Sequence, residues 1–181
     1  MIKKFFDKIR PNFEAGGKWH SLHSLFEGME SFLLVPNRTS AVGVSVHDAI
    51  DSKRIMSFVV IALLPALLFG MYNVGYQHYR AAGLDGTFLE LFGYGFLAVL
   101  PKIIVSYVVG LGIEFAVAQW KGEEIQEGYL VTGLLVPLIV PVSCPLWMLA
   151  LAVAFSVIFV KEIFGGTGMN IFNPAIVARA F

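Results

Sequence analysis

Two carboxamides, Asn170 and Asn173, stand three residues apart just after a turn built from Gly165, Gly166, Thr167 and Gly168. A side-chain amide offers donor and acceptor together, so a pair of them can read the polar edge of a ligand. The same residues also suit a plainer task. Asn is a good N-cap, and Pro174 fits a first helical position, where its missing N–H costs nothing. An apolar helix runs into the turn and ends in Lys161–Glu162, and another opens at Ala175, with the sequence ending inside it at Phe181. Polar, flexible backbone between apolar helices is tolerated at membrane depth only when it is buried in protein or lines a site. The segment therefore reads as a ligand-binding break.

Other side chains with chemical potential are few. Lys102 and Glu114 lie inside an otherwise apolar run. Lys102 is close enough to the start of its span to snorkel to the interface, and Glu114 precedes Lys121 by about two turns and can reach the interface too. Gly110 and Gly112 thin the same helix and would let another backbone or a flat ligand approach. The single cysteine, Cys144, excludes an internal disulfide and a cluster ligated by this chain alone. Of the four histidines, only His20 and His23 are paired, which suits interfacial packing better than a metal, and no metal or catalytic residue is assigned. The GGTG turn follows a helix and lacks the GK[ST] ending, so it is not a phosphate loop, and no dinucleotide fingerprint occurs.

The elements that must position these residues are apolar helices. The chain is 57% hydrophobic and 14% charged with zero net charge, and its mean hydropathy is +0.73. That balance indicates a membrane protein and gives no electrostatic case for a nucleic-acid partner. An all-α, polytopic fragment with about four hydrophobic segments is expected, with a broken or re-entrant helix near 165–174. Ile55–Tyr72 holds 18 residues without a charge, near the length that crosses a hydrocarbon core. Pro65 is expected to kink this span, and 73–90 reads as a polar loop. A second span lies within Leu91–Trp120. Gly128–Val160 is uncharged over 33 residues, too long for one span. Pro137, Pro141 and Pro145 divide it into short helices over about Tyr129–Val140 and Leu146–Ile163, the first tilted, half-length or re-entrant.

Residues 1–54 form a separate region. Ile2, Phe5, Phe6 and Ile9 share one helical face and Lys3, Lys4 and Lys8 the other, until Pro11 ends the helix. A second amphipathic helix is expected from about Trp19 to Leu33. Such helices lie in the membrane interface or pack on partner subunits, and both readings stand. Residues 55–181 form the transmembrane domain. The basic residues Lys3, Lys4, Lys8, Arg10, Lys18, Arg38, Lys53 and Arg54 all precede the first span, which puts the N-terminus in the cytoplasm and the 73–90 loop outside.

The motifs SVHDAIDSKRIM, GMYN, EIQEGYLVT with LIVP, and KEIFGGTGMNIFNPAIVARAF occur in that order. Together they resemble the N-terminal part of the B-subunit family of the Na+-translocating NADH:quinone oxidoreductase. The related D subunit of the Rnf electron-transport complex is similar in the spans and glycine turn, without this long N-terminal region. The resemblance implies a membrane-embedded redox subunit of the bacterial inner membrane. It would work with other subunits of a complex that passes electrons from NADH via flavins to ubiquinone and exports Na+. It implies covalent FMN, noncovalent riboflavin and contact with ubiquinone. Asn170 and Asn173 match family positions beside riboflavin, whose carbonyl and N–H edge suits amides. Gly110, Glu114, Glu127, Gly128, Tyr129, Leu130, Thr132 and Phe181 match positions lining the family's quinone region, although ordinary helix packing would use the same residues. The family joins FMN to Thr in an SGAT-like motif that this sequence lacks, so the expectation is an N-terminal fragment without the covalent FMN. Paired short helices also suit a small-solute channel or transporter, and a structural anchor is a third class.

Overall fold

The computed structural model describes residues 9–13, 26, 43, 50, 52–121 and 128–181. The chain divides into two compact units, Met1–Ile55 with Phe115–Ile125, and Met56–Glu114 with Gln126–Phe181. In the first, Arg10–Asn12 makes a 3-10 turn with Pro11 near its start, and Phe13 stacks on the buried Phe26 at 4.6 Å. The amphipathic helices expected over 2–9 and 19–33 otherwise lie outside the described residues.

Helix α1 spans Ser52–Ala82 and α2 spans Phe88–Lys121. Both are long and apolar enough to cross a membrane. Pro65 and Pro101 lie inside continuous helices. The polar loop expected over 73–90 shrinks to a short turn, because both flanking helices carry their own end signals. Gly83, at φ +65°, closes α1. Its N–H reaches the Arg80 carbonyl at 3.2 Å, and the Leu84 N–H reaches that of Tyr79 at 3.0 Å, a Schellman ending that glycine alone enters without strain. Thr87 starts α2: the Glu90 carboxylate accepts from the Thr87 backbone N–H at 2.8 Å and from its hydroxyl at 2.9 Å, the first bond being the carboxylate half of a T-x-x-E capping box. The extra turns of α1 are also held by packing. A Cβ at Gly75 would overlap the Leu91 carbonyl, and one at Gly95 the Met71 carbonyl, so the two backbones touch where side chains are missing.

Helix α3 is Tyr129–Ile139, 11 residues and about 16 Å long, too short to span a bilayer alone. After the Pro141–Pro145 turn, α4 runs over Leu146–Ser156 and continues as a wider π-helical segment over Val157–Glu162. Helix α5 is Pro174–Ala180 and packs against both α3 and α4. No strand occurs among the described residues. The α2 residues that are buried, Leu91, Gly95, Val99, Lys102, Ser106, Gly110 and Glu114, recur every three or four positions. One helical face thus turns glycines and polar groups inward, while Phe69, Leu97 and Val108 are each about two-thirds exposed or more. Apolar outside and polar inside is the reverse of a water-soluble bundle and suggests a membrane location.

Candidate functional site

The break between α4 and α5 starts with the π-helical segment. The Ile163 N–H bonds Ile158 at 3.1 Å and that of Gly166 bonds Lys161 at 2.9 Å. Both skip five residues, which widens the helix as it ends. Gly165, Gly166 and Gly168 take φ of +105°, +95° and +89°, a left-handed run open to glycine alone. The turn lies against the start of α3, where a Cβ on Gly128 would overlap the Thr167 side chain. The Asn170 Oδ1 accepts from the Gly168 N–H at 3.3 Å, and its Nδ2 donates to the Phe172 carbonyl at 2.8 Å. Asn173 caps α5, its Oδ1 accepting from the Ala175 N–H at 2.9 Å. The Ser156 hydroxyl donates to the Pro174 carbonyl, and Arg179 donates to the Ile139 carbonyl at the end of α3 at 2.8 Å. Both asparagines therefore do the turn-and-cap work that the sequence allows. Asn173 keeps its Nδ2 on an exposed side chain, without a partner among the described residues.

Deeper in the same unit is a polar cluster. Lys161, on the π-helical segment, forms an ion pair with Glu114 of α2 through Oε1, and the two side chains are 3% and 4% exposed. The expectation that Glu114 reaches the interface is overturned: it faces inward because its counter-charge is inside. Burying two charges is repaid only when each finds the other, and removing one partner typically costs about 3–5 kcal/mol. The Lys161 Nζ also lies 5.9 Å from the ring centroid of the fully buried Tyr129, within cation–π range. Tyr129 donates to the Ser106 carbonyl at 2.9 Å, and the Ser106 hydroxyl donates to the Gly133 carbonyl at 3.0 Å. Gly110 is the recess that admits this ring, since any Cβ there would overlap it. Tyr107 stands edge-on to Tyr129 at 6.4 Å and donates to the Leu130 carbonyl at 2.6 Å. One polar atom of the cluster is left over: among the described residues, Glu114 Oε2 is buried with no hydrogen-bond partner.

Lys102 does not snorkel. It is buried, and its Nζ donates to the carbonyls of Val142 at 2.6 Å and Cys144 at 2.9 Å. The turn between α3 and α4 leaves carbonyls that no helix satisfies, and an ammonium with three donors meets two of them. That gain outweighs reaching for water.

A profile of the NQR2, RnfD, RnfE family matches residues 39–181. The chain belongs to that family. A protein of Pseudoalteromonas atlantica, named as the B subunit of Na(+)-translocating NADH-quinone reductase, is 37% identical over 204 residues, covering 99% of this chain and 51% of its own length. A protein of the same name from Azotobacter vinelandii is 37% identical, covering 100% and 51%. One from Haemophilus influenzae is 38% identical, covering 99% and 50%. The chain spans about half the length of the curated relatives it matches.

Within this NQR2, RnfD, RnfE family member, the residues expected around a quinone separate into groups. Gly110, Glu114 and Tyr129 meet in the buried cluster. Gly128 joins the glycine turn instead, through Thr167. Leu130 and Thr132 are half-buried on α3. Phe181 is exposed and stacks on Phe155 at 4.7 Å. Glu127 lies outside the described residues. Sequence reasoning missed Lys161, Ser106 and Tyr107 as parts of the cluster. Their signal was present: Lys102, Ser106, Gly110 and Glu114 repeat every four residues in an apolar helix, and Lys161 ends the next long apolar run. Among the described residues, no group of three or more His, Cys, Asp or Glu side chains could hold a metal ion.

Proposed function

We propose that this chain serves a membrane subunit of a respiratory complex that passes electrons from NADH via flavins to ubiquinone and couples their passage to Na+ export. The observation that carries the reading is Glu114 Oε2, a buried acceptor without a partner among the described residues. Lys161, over the Tyr129 ring, holds Oε1, and that ring fills the recess at Gly110, so that one polar atom is left for a ligand's polar edge. Family membership and relatives named as quinone reductase subunits support it. Glu114, with Gly110 and Tyr129 behind it, forms the inner wall of the quinone site, and Leu130 and Thr132 extend it along α3. Hydride uptake from NADH belongs to another subunit, since no dinucleotide fingerprint occurs here.

Riboflavin belongs at the glycine turn in this reading, where its ring would supply a carrier for electrons arriving singly or in pairs. The free Nδ2 of Asn173 fits a flavin carbonyl, while Asn170, bonded at both ends of its amide, shapes the turn. Covalent FMN has no attachment threonine of the SGAT type in this sequence and is assigned elsewhere. The subunit sits in the bacterial inner membrane among the other subunits of the complex and the lipid bilayer, with its N-terminus cytoplasmic.

The test is Glu114→Gln in the full-length subunit, assembled in its complex. Quinone reduction should weaken, with NADH oxidation by a soluble acceptor unchanged. Unaltered kinetics with both the quinone and the hydroquinone in a fully assembled complex would remove Glu114 from the site. Solute flux through a flavin-free protein would favour the transporter reading instead.

A further inference from the structure

The buried ion pair is lopsided. Lys161 engages Glu114 Oε1 and leaves Oε2 with no hydrogen-bond partner among the described residues. Folded proteins seldom leave a buried polar atom unmatched unless something else binds it. The pair is also well braced. Lys161 is held over the Tyr129 ring, that ring fills the recess at Gly110 one turn before Glu114, and the Tyr129 hydroxyl is tied to the Ser106 carbonyl. The direction in which Oε2 faces is therefore set by what grips Oε1.

A carboxylate in an ion pair has only acceptors to offer. The ring oxygens of a quinone are carbonyls, acceptors as well, whereas those of a hydroquinone are O–H donors. We propose that Lys161 is a positioning residue of the quinone site, aiming Glu114 Oε2 at a hydroxyl of the reduced ring so that the pair binds hydroquinone in preference to quinone. The proposal rests on the reading of Glu114 as a quinone contact. Lys161 itself touches no substrate; its effect passes through the carboxylate.

The experiment uses the assembled complex with full-length subunit, a short-chain ubiquinone and the corresponding hydroquinone as probes. KM for the quinone and the inhibition constant for the hydroquinone are measured in Lys161→Met, Lys161→Arg, Glu114→Gln and Lys161→Met/Glu114→Gln. Losing a charge-assisted hydrogen bond should raise the hydroquinone constant at least about tenfold in Lys161→Met. The quinone KM should move less than about threefold, and Lys161→Arg, which keeps the ion pair, should restore the hydroquinone constant to within about twofold. A merely structural lysine would shift both constants together, and that result overturns the proposal, as does an Arg variant no better than Met. Should Lys161→Met fail to assemble, the double variant, which leaves no unpaired buried charge, is compared with Glu114→Gln alone. Equal hydroquinone constants support the proposal and unequal ones overturn it. Glu114→Gln with both constants unchanged overturns the quinone reading and this inference with it. A raised hydroquinone constant in Glu114→Gln but not in Lys161→Met overturns the role of Lys161 alone.

Discussion

At Asn173 the cap and the proposed flavin contact use different atoms of one amide. Oδ1 accepts from the Ala175 N–H, and Nδ2 is left for a ligand. Asn173→Asp keeps the first and abolishes the second, because a carboxylate caps well and favours the helix N-terminus but has no N–H to donate. Noncovalent riboflavin per complex should fall to less than about half, with covalent FMN unchanged as the assembly control. Full riboflavin and normal turnover would leave Asn173 a cap. Gly110 yields a second residue-scale prediction. A methyl there collides with the Tyr129 ring rather than filling a void, so Gly110→Ala should destabilise the subunit by about 1–3 kcal/mol, as overpacking does. Trimming the ring with Tyr129→Leu in the same chain should recover part of that loss in thermal unfolding of the purified complex. If the two losses simply add, the collision is not what Gly110 avoids.

At the scale of elements, Lys102 joins α2 to the turn between α3 and α4 through two carbonyls, and Cys144 lies in that turn. Lys102→Met removes both bonds, each charge-assisted and worth about 1.5–3 kcal/mol. The turn should then open more often, and a membrane-permeant maleimide should label Cys144 at least about tenfold faster. An unchanged labelling rate would mean that the prolines alone hold the turn. The same helices show what the sequence could and could not disclose. The glycine turn, the Asn173 cap, the short helices on either side of Pro141–Pro145 and the two long apolar helices were legible, because hydrophobic runs and Gly, Pro and Asn act locally. The length of α1 was misjudged although Gly83 and the Thr87–Glu90 pair marked the true ends, since polarity over 73–90 masked those signals. Lys102 and Glu114 were misplaced for a different reason. Whether a charge in an apolar helix seeks water or a partner depends on what lies opposite in space. The Val142 and Cys144 carbonyls are 40 and 42 residues from Lys102, and Lys161 is 47 residues from Glu114. No spacing rule reaches that far.

At the scale of the whole molecule, the charges that do find partners inside leave the remaining ones to set orientation. Lys102 and Lys161 are buried and bonded within the bundle, so they do not count as loop charges. The positive-inside argument then rests on the basic residues before α1 and on Lys53 and Arg54 in its first turn, with Arg80 near the end of that helix and Lys121 at the end of α2. Eight basic residues ahead of the first span against one near its far end is a strong bias, and orientation follows such a bias over short segments flanking a span. Since α1 and α2 are both long enough to cross, Lys8 and Glu123 should share the cytoplasmic side while Arg80 faces out. Single cysteines at these three positions, in a Cys144→Ser background, report this in intact cells with a membrane-impermeant maleimide. Position 80 should react in whole cells, and positions 8 and 123 only after the membrane is opened. External labelling at 123 with protection at 80 would invert the molecule and move the glycine turn, with its proposed flavin, to the opposite face.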